Sequence, residues 1–114
     1  MDAAVAIEDL KIVLVDDDET IRHSLDFYFR RKGVPFLAFA SAEDALRHIR
    51  RNQTDLIISD YSLPGMNGLQ FIGELNQFAA EIAKIIITGY GSLEVAVEAM
   101  RLGVHDFIQK PFSA

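Results

Sequence analysis

Three uninterrupted aliphatic runs, Ile12-Val13-Leu14-Val15, Leu56-Ile57-Ile58 and Ile85-Ile86-Ile87, set the narrowest limit on how this chain can fold. Each is too short for a helix and, being continuous rather than alternating, reads as a strand buried on both faces. The segments between them carry helical spacing. Strands alternating with single helices imply right-handed βαβ crossovers, hence a parallel sheet covered on both faces with all its strand ends along one edge. Ligands of open α/β sheets bind at that edge.

In chain order, the first strand spans Lys11 to Asp16, and Ile21, Leu25, Tyr28 and Phe29 then line one face of a helix. Arg30, Arg31 and Lys32 complement the negative end of that helix, and Gly33 is placed to cap it. Pro35 to Ala40 reads as a second strand at a sheet edge, since Pro is tolerated at a strand's start. Ser41 with Asp44 resembles a capping box for a second helix with Ala42, Ala45, Leu46 and Ile49 inward, closed by Arg47, Arg50 and Arg51. The third strand ends at Asp60, and Asn67 with Gln70 opens a helix whose inward residues are Leu69, Ile72, Leu75 and Phe78. Lys84 to Thr88 is the fourth strand. Ser92 caps a fourth helix with Leu93, Ala96, Val97 and Met100 inward and Gly103 at its end. Asp106 to Gln109 forms the fifth strand, closed by Lys110-Pro111. Residues 1–10 are weakly patterned and read as a lead-in to one domain over 11–114.

At 114 residues the chain can bury one core but not two. Its 17 acidic against 11 basic residues, a formal net charge of −6, argue against a sequence-independent nucleic-acid surface on this segment. With no cysteine, neither a disulfide framework nor a thiolate metal site is possible, and a reducing cytoplasm is the default setting. No apolar run approaches membrane-spanning length, and the N-terminus lacks the basic start of a signal peptide.

Two of the apolar runs end in acid, one in Asp16-Asp17-Asp18-Glu19 and the other in Asp60 followed by a Pro-Gly turn. Asp16 or Asp17 alone could cap the first helix, but one cap cannot use four successive acids. The predicted topology brings Asp16, Asp17, Asp60, Thr88 and Lys110 to one crevice. Carboxylates this close raise one another's proton affinity unless a positive charge sits among them. A divalent cation resolves the conflict, and an oxygen-only set with few side chains and room for water favours Mg²⁺. Lys110 adds an ammonium and Thr88 a hydroxyl, which together suit a tetrahedral oxyanion such as a phosphoryl group. The site thus offers a carboxylate nucleophile, a metal and two oxyanion ligands. His23, His48 and His105 have no metal-ligand spacing and read as structural or solvated.

Val15-Asp16-Asp17-Asp18-Glu19, Ser59-Asp60-Tyr61-Ser62-Leu63-Pro64-Gly65-Met66-Asn67-Gly68, Ile87-Thr88-Gly89 and Phe107-Ile108-Gln109-Lys110-Pro111-Phe112 together resemble the receiver domain of two-component response regulators. The match runs from Lys11 to Phe112 in order and spacing. The wording around Tyr90-Gly91-Ser92 and Ala99-Met100-Arg101-Leu102-Gly103 is similar to the nitrogen-regulator-like class, whose members often carry ATPase and DNA-binding modules downstream. The resemblance implies a (βα)5 flavodoxin-like doubly wound sheet of strand order 2-1-3-4-5. It also implies that Asp60 accepts a phosphoryl group from a sensor-kinase phosphohistidine, and that Asp16, Asp17, Asp60 and the backbone carbonyl of Ser62 hold Mg²⁺. Lys110 and Thr88 would contact the phosphoryl oxygens. By the same resemblance Thr88 and Phe107 form a switch that controls dimerisation or a transcriptional output domain, and Ser62 and Tyr90 govern how long the acyl phosphate lasts. Such a protein catalyses only its own phosphorylation and dephosphorylation.

The sequence departs from the family in two places. Phe107 stands where many receivers have Tyr, so packing alone must hold its inward state. Only Phe112, Ser113 and Ala114 follow Pro111, so the fifth helix is missing from this chain. The expectation is a fragment that self-associates through the bare sheet face or through the fourth helix and fifth strand. Two other classes compete. A Mg²⁺-dependent aspartyl-phosphate phosphatase would want a second acid where Ser62 stands, and a flavin- or dinucleotide-binding module would want a glycine- or hydroxyl-rich loop where Asp16-Asp17-Asp18 stands.

Overall fold

The computed structural model describes residues 9–89 and 93–110. Five parallel strands, β1 (Ile12–Val15), β2 (Phe36–Phe39), β3 (Leu56–Asp60), β4 (Ala83–Thr88) and β5 (Asp106–Gln109), form one sheet of order β2-β1-β3-β4-β5. Four helices connect them: α1 (Glu19–Arg31), α2 (Ala42–Ile49), α3 (Gly68–Leu75) and α4 (Leu93–Arg101). The chain reverses its direction across the sheet between β1 and β3, which places the strand-order switch beside the acidic strand ends.

Alternate residues of the central strands feed two cores. Val13, Val15, Ile57 and Ile86 pack with α2, α3 and Ala99 of α4, whereas Leu14 and Ile87 pack with Leu25 of α1. This double burial explains the uninterrupted aliphatic runs. β2 lies at an edge, as its Pro start requires, and Leu37 faces outward there.

The first acidic cluster divides its labour. Asp18, neither Asp16 nor Asp17, is the N-cap of α1, its side chain accepting from the amides of Thr20 and Ile21. At the other end Gly33 adopts φ 71°, and Arg30 and Arg31 fill the last turn. The buried face of α2 is the expected Ala42, Ala45, Leu46 and Ile49; Ser41 accepts from the Asp44 amide. Asn67 and Gln70 complete a reciprocal capping box on α3.

Three helix faces differ from expectation. Tyr28 is exposed while Ile21 and Phe29 turn inward with Leu25, Phe29 stacking on Phe36 at 5.0 Å. In α3 the buried side chains are Phe71, Ile72 and Leu75; the helix ends at Leu75, so Phe78 lies beyond it, exposed beneath the guanidinium of Arg50. In α4 Ala99 is the buried residue, and Leu93, Val97 and Met100 are exposed. Apolar residues occupy most of the α4 surface, so periodicity could not choose its inward side. Small Ala99 lets the helix backbone approach the sheet, and the larger chains turn out. The proposed cap Ser92 lies outside the described residues.

Lys84 is buried at the start of β4, where its ammonium donates to the carbonyls of Ala80 and Ile82. Burial pushes its pKa down.

Gly68 sits where the chain leaves β3 and re-enters a helix, its amide donating to the Tyr61 carbonyl at 2.9 Å. A Cβ there would stand 2.4 Å from the Asp60 carbonyl oxygen and 2.9 Å from Tyr61 Cα, both backbone. Gly68→Ala should therefore lose at least the 1–3 kcal/mol, roughly, that overpacking costs. Gly73→Ala, in the same helix with nothing within 4 Å of its would-be Cβ, should gain about 0.5–1 kcal/mol. Urea denaturation of the two variants checks the contrast.

Candidate functional site

The sheet brings the sequence-predicted residues together at the C-terminal edge of its central strands. Asp16 follows β1 directly, its amide donating to the Phe39 carbonyl, and its side chain is fully buried. One carboxylate oxygen accepts from the Asp18 amide at 2.9 Å and the other from Lys110 Nζ at 3.0 Å. Asp60, the last residue of β3, is 5% exposed; it accepts from Lys110 Nζ at 3.2 Å and from the Ser62 amide at 3.3 Å. Asp17 is exposed, yet its carboxylate converges with those of Asp16 and Asp60, with one oxygen from each lying within 4.8 Å of the others.

Lys110 arrives from the far end of the chain because its amide donates to the Thr88 carbonyl, extending the β4–β5 ladder by one residue. Thr88 is fully buried. Phe107 pairs with Ile86, two residues before Thr88, so Thr88 and the half-buried Phe107 ring share the sheet face that carries α2, α3 and α4. Tyr90 and Pro111 lie outside the described residues. Of the histidines, His23 is exposed, His48 packs on the Phe39 ring, and His105 Nδ1 accepts from the Lys84 amide.

The electrostatics follow from this crowding. Burial, then the negative charge of Asp16, raises the Asp60 pKa, and Lys110 and the Ser62 amide only partly offset them. Burial alone would lower the pKa of Lys110, but hydrogen bonds and attraction to Asp16 and Asp60 outweigh it and hold it above the ordinary lysine value. One ammonium thus faces three converging carboxylates. The charge imbalance, the all-oxygen donors and the open Asp17 side fit a hard divalent cation.

Two contacts were not anticipated. Arg22 Nη1 donates to the Asp16 carbonyl at 2.9 Å, and Glu43 of α2 accepts from the Met66 amide at 3.3 Å in the loop after β3. Arg22 stands one helical turn after the Asp18 cap, a spacing readable in sequence only once the cap is known. Nothing in the sequence links Glu43 to Met66.

The family model of the response regulator receiver domain matches residues 12–114. The chain belongs to this receiver family. It is 38% identical over 105 residues to the transcriptional regulatory protein FixJ of Azorhizobium caulinodans, covering 92% of this chain and 50% of that protein. Against the DNA-binding transcriptional regulator NtrC of Proteus hauseri the identity is 34% over 99 residues, covering 87% of this chain and 21% of NtrC. Both relatives are transcriptional regulators, consistent with the nitrogen-regulator-like wording of the sequence. The chain spans about half the length of its FixJ relative and about a fifth of NtrC. A CheY-like receiver domain protein from Methanospirillum hungatei superposes with a TM-score of 0.87 at 31% identity, covering 92% of this chain and 85% of that one. A response regulator from Burkholderia pseudomallei, crystallised with a phosphorylated aspartic acid, calcium ion and citrate, superposes at 0.85 with 25% identity, covering 92% and 62%.

The raised pKa of Asp60 has a definite sign. Its protonated form is favoured by folding, so that contribution is full below the ordinary carboxylate range and is lost as pH rises through the folded-state value. Asp60→Asn should therefore raise the melting temperature at pH 7 in chelator by several degrees, about 1 kcal/mol corresponding to roughly 4–8 °C at this size. The gain should fade as pH falls through the raised folded-state value and be gone in the ordinary carboxylate range, about pH 4, where the group is protonated both folded and unfolded. Calorimetric scans across pH check both parts.

Proposed function

We propose that this receiver is the phospho-acceptor of a two-component relay, with Asp60 as nucleophile. The observation that carries the reading is the ammonium of Lys110 bridging two carboxylates while Asp17 stands open beside them. An Asp60 oxygen attacks phosphorus in line, the P–N bond of a phosphohistidine donor on a sensor kinase breaks, and the imidazole leaves with the electron pair and takes up a proton. Lys110 and the hydroxyl of Thr88 contact the phosphoryl oxygens, absorbing charge as it builds. Asp16, Asp17, Asp60 and the Ser62 carbonyl are the residues that would hold Mg²⁺, which supplies Lewis-acid neutralisation of an anionic donor meeting an anionic nucleophile. The phosphorylated aspartic acid and calcium ion of the Burkholderia protein support this assignment by analogy. The preference for Mg²⁺ rests on the small number of protein ligands.

Once Asp60 is modified, Lys110 and Thr88 are drawn to it. Because Lys110 hangs on the Thr88 carbonyl and Phe107 shares the Thr88 face, the change passes into β5 as a shift between two packings. The exposed stripe Leu93, Val97 and Met100 of α4 suits contact with a second copy or a downstream output domain, transcriptional by analogy with FixJ and NtrC. Ser62, which offers no acid to direct water, and Tyr90, as a shield, would set the lifetime of the acyl phosphate. The reading makes the chain a cytoplasmic signal receiver whose only catalysis is on itself; among the described residues no helix is long and apolar enough to cross a membrane. The absence of an acid at Ser62 weighs against the phosphatase alternative.

Incubation with Mg²⁺ and a small acyl phosphate should add one phosphoryl group by intact-mass analysis, and Asp60→Asn should gain none. Lys110→Met should be phosphorylated about 10²-fold more slowly, the usual cost of losing one oxyanion donor. Equal modification of the Asn variant would place the acceptor elsewhere. Sedimentation before and after phosphorylation tests the α4 surface: Val97→Glu should abolish any association that phosphorylation induces, and a monomer in both states would leave the output-domain reading alone.

A further inference from the structure

Asp17 is the one member of the carboxylate trio that no strand holds. The β1 ladder stops at Val15, the helix begins at Glu19, and Asp17 lies in the two-residue gap before the Asp18 cap. Its exposed side chain must nevertheless converge with two buried ones. Arg22 brackets that gap from the helix side. Its backbone amide donates to the Asp18 carbonyl at 3.1 Å, and its guanidinium reaches back to the Asp16 carbonyl at 2.9 Å. The two bonds close on either side of Asp17. Among the described residues the remaining restraints act on its neighbours: the Asp16 amide on Phe39, the Asp18 amide on the Asp16 carboxylate, and the Asp18 side chain on Thr20 and Ile21.

We propose that Arg22 is a positioning residue for the divalent-cation site, a clamp that fixes the Asp16–Asp18 turn so that Asp17 points at Asp16 and Asp60. The inference rests on the metal reading above. A guanidinium suits the task because its planar fork presents several donors in fixed directions, and a charge-assisted bond to a carbonyl is stronger than a neutral one. Partners that orient ligands in this way commonly tune metal affinity by 10- to 100-fold. The positive charge of Arg22 acts in the opposite direction, since a fixed cation near the site repels an arriving one. The two roles therefore predict opposite signs.

Isothermal titration of Mg²⁺ into wild type, Arg22→Met and Arg22→Lys separates them, with melting in chelator to establish that each variant is folded. Arg22→Met, which keeps length but loses the donor, should raise the Mg²⁺ dissociation constant about 10-fold. Arg22→Lys, with one donor able to reach the carbonyl, should recover part of that loss. In acyl-phosphate kinetics the Met variant should need more Mg²⁺ for half-maximal rate yet approach the wild-type rate at saturation, because Arg22 touches no reacting atom. Mg²⁺ binding by Arg22→Met as tight as wild type, or tighter, overturns the clamp and leaves Arg22 a nearby charge. Absence of Mg²⁺ binding by wild type would instead overturn the metal reading, and the clamp with it.

Discussion

Two acids buried side by side at neighbouring strand ends are unstable company, and the rest of this structure depends on the ammonium that reconciles them. Asp16 and Asp60 share Lys110 at 3.0 and 3.2 Å, with Asp16 wholly removed from water and Asp60 nearly so. Their partner lies 94 and 50 residues away in sequence. Only the completed sheet can deliver it, since Lys110 is reached through the β4–β5 ladder and anchored on the Thr88 carbonyl. The tertiary structure thus stabilises the site, and the site in turn ties the last strand to the first. One positive charge among three converging carboxylates leaves the edge short of cation, an imbalance that fits a divalent metal.

The surroundings divide into held and yielding parts. The loop after Asp60 is fixed from several sides: Gly68 beneath Tyr61, the Asn67–Gln70 box, the Glu43 carboxylate on the Met66 amide, and Gly65 at φ 74° with Glu43 beside it. Such a loop can present a carbonyl or an amide without reorganising, a requirement for charge stabilisation in a reacting site. The β4–β5 side is different. Strand β5 is largely exposed, and α4 meets the sheet through Ala99 while its larger aliphatic side chains face outward. Fewer buried contacts there mean a smaller cost for repacking, so β5 and α4 form the side of the fold that can rearrange most cheaply.

The fold was legible because the aliphatic runs are buried on both faces and the caps are chemically explicit: Gly33 at positive φ, the Asn67–Gln70 box, Ser41 on the Asp44 amide. Helix orientation was less legible. Tyr28, Phe78, Leu93, Val97 and Met100 all read as inward, and all are exposed. In α3 the cause is an early end to the helix, and in α4 it is an apolar surface wider than the face the sheet can cover.

That Asp16, Asp17, Asp60, Thr88 and Lys110 would meet at one edge was legible in the sequence, because Asp16, Asp60 and Thr88 directly end aliphatic runs and the parallel topology sets the ends of β1 and β5 beside them. Sequence by itself therefore determined the strand order of chemistry: which residues end which strands, and that an excess of negative charge would collect there. It did not determine how that charge is held. The Asp18 cap and the Arg22 bond to the Asp16 carbonyl are local contacts that four successive acids left ambiguous, whereas Lys110 bridging Asp16 and Asp60 and Glu43 steadying the Met66 amide were decided by tertiary structure. Hydrogen bonds of that kind need donor and acceptor within about 3 Å in a fixed direction. Such a condition is met by packed helices and strands, and no spacing along a chain records it.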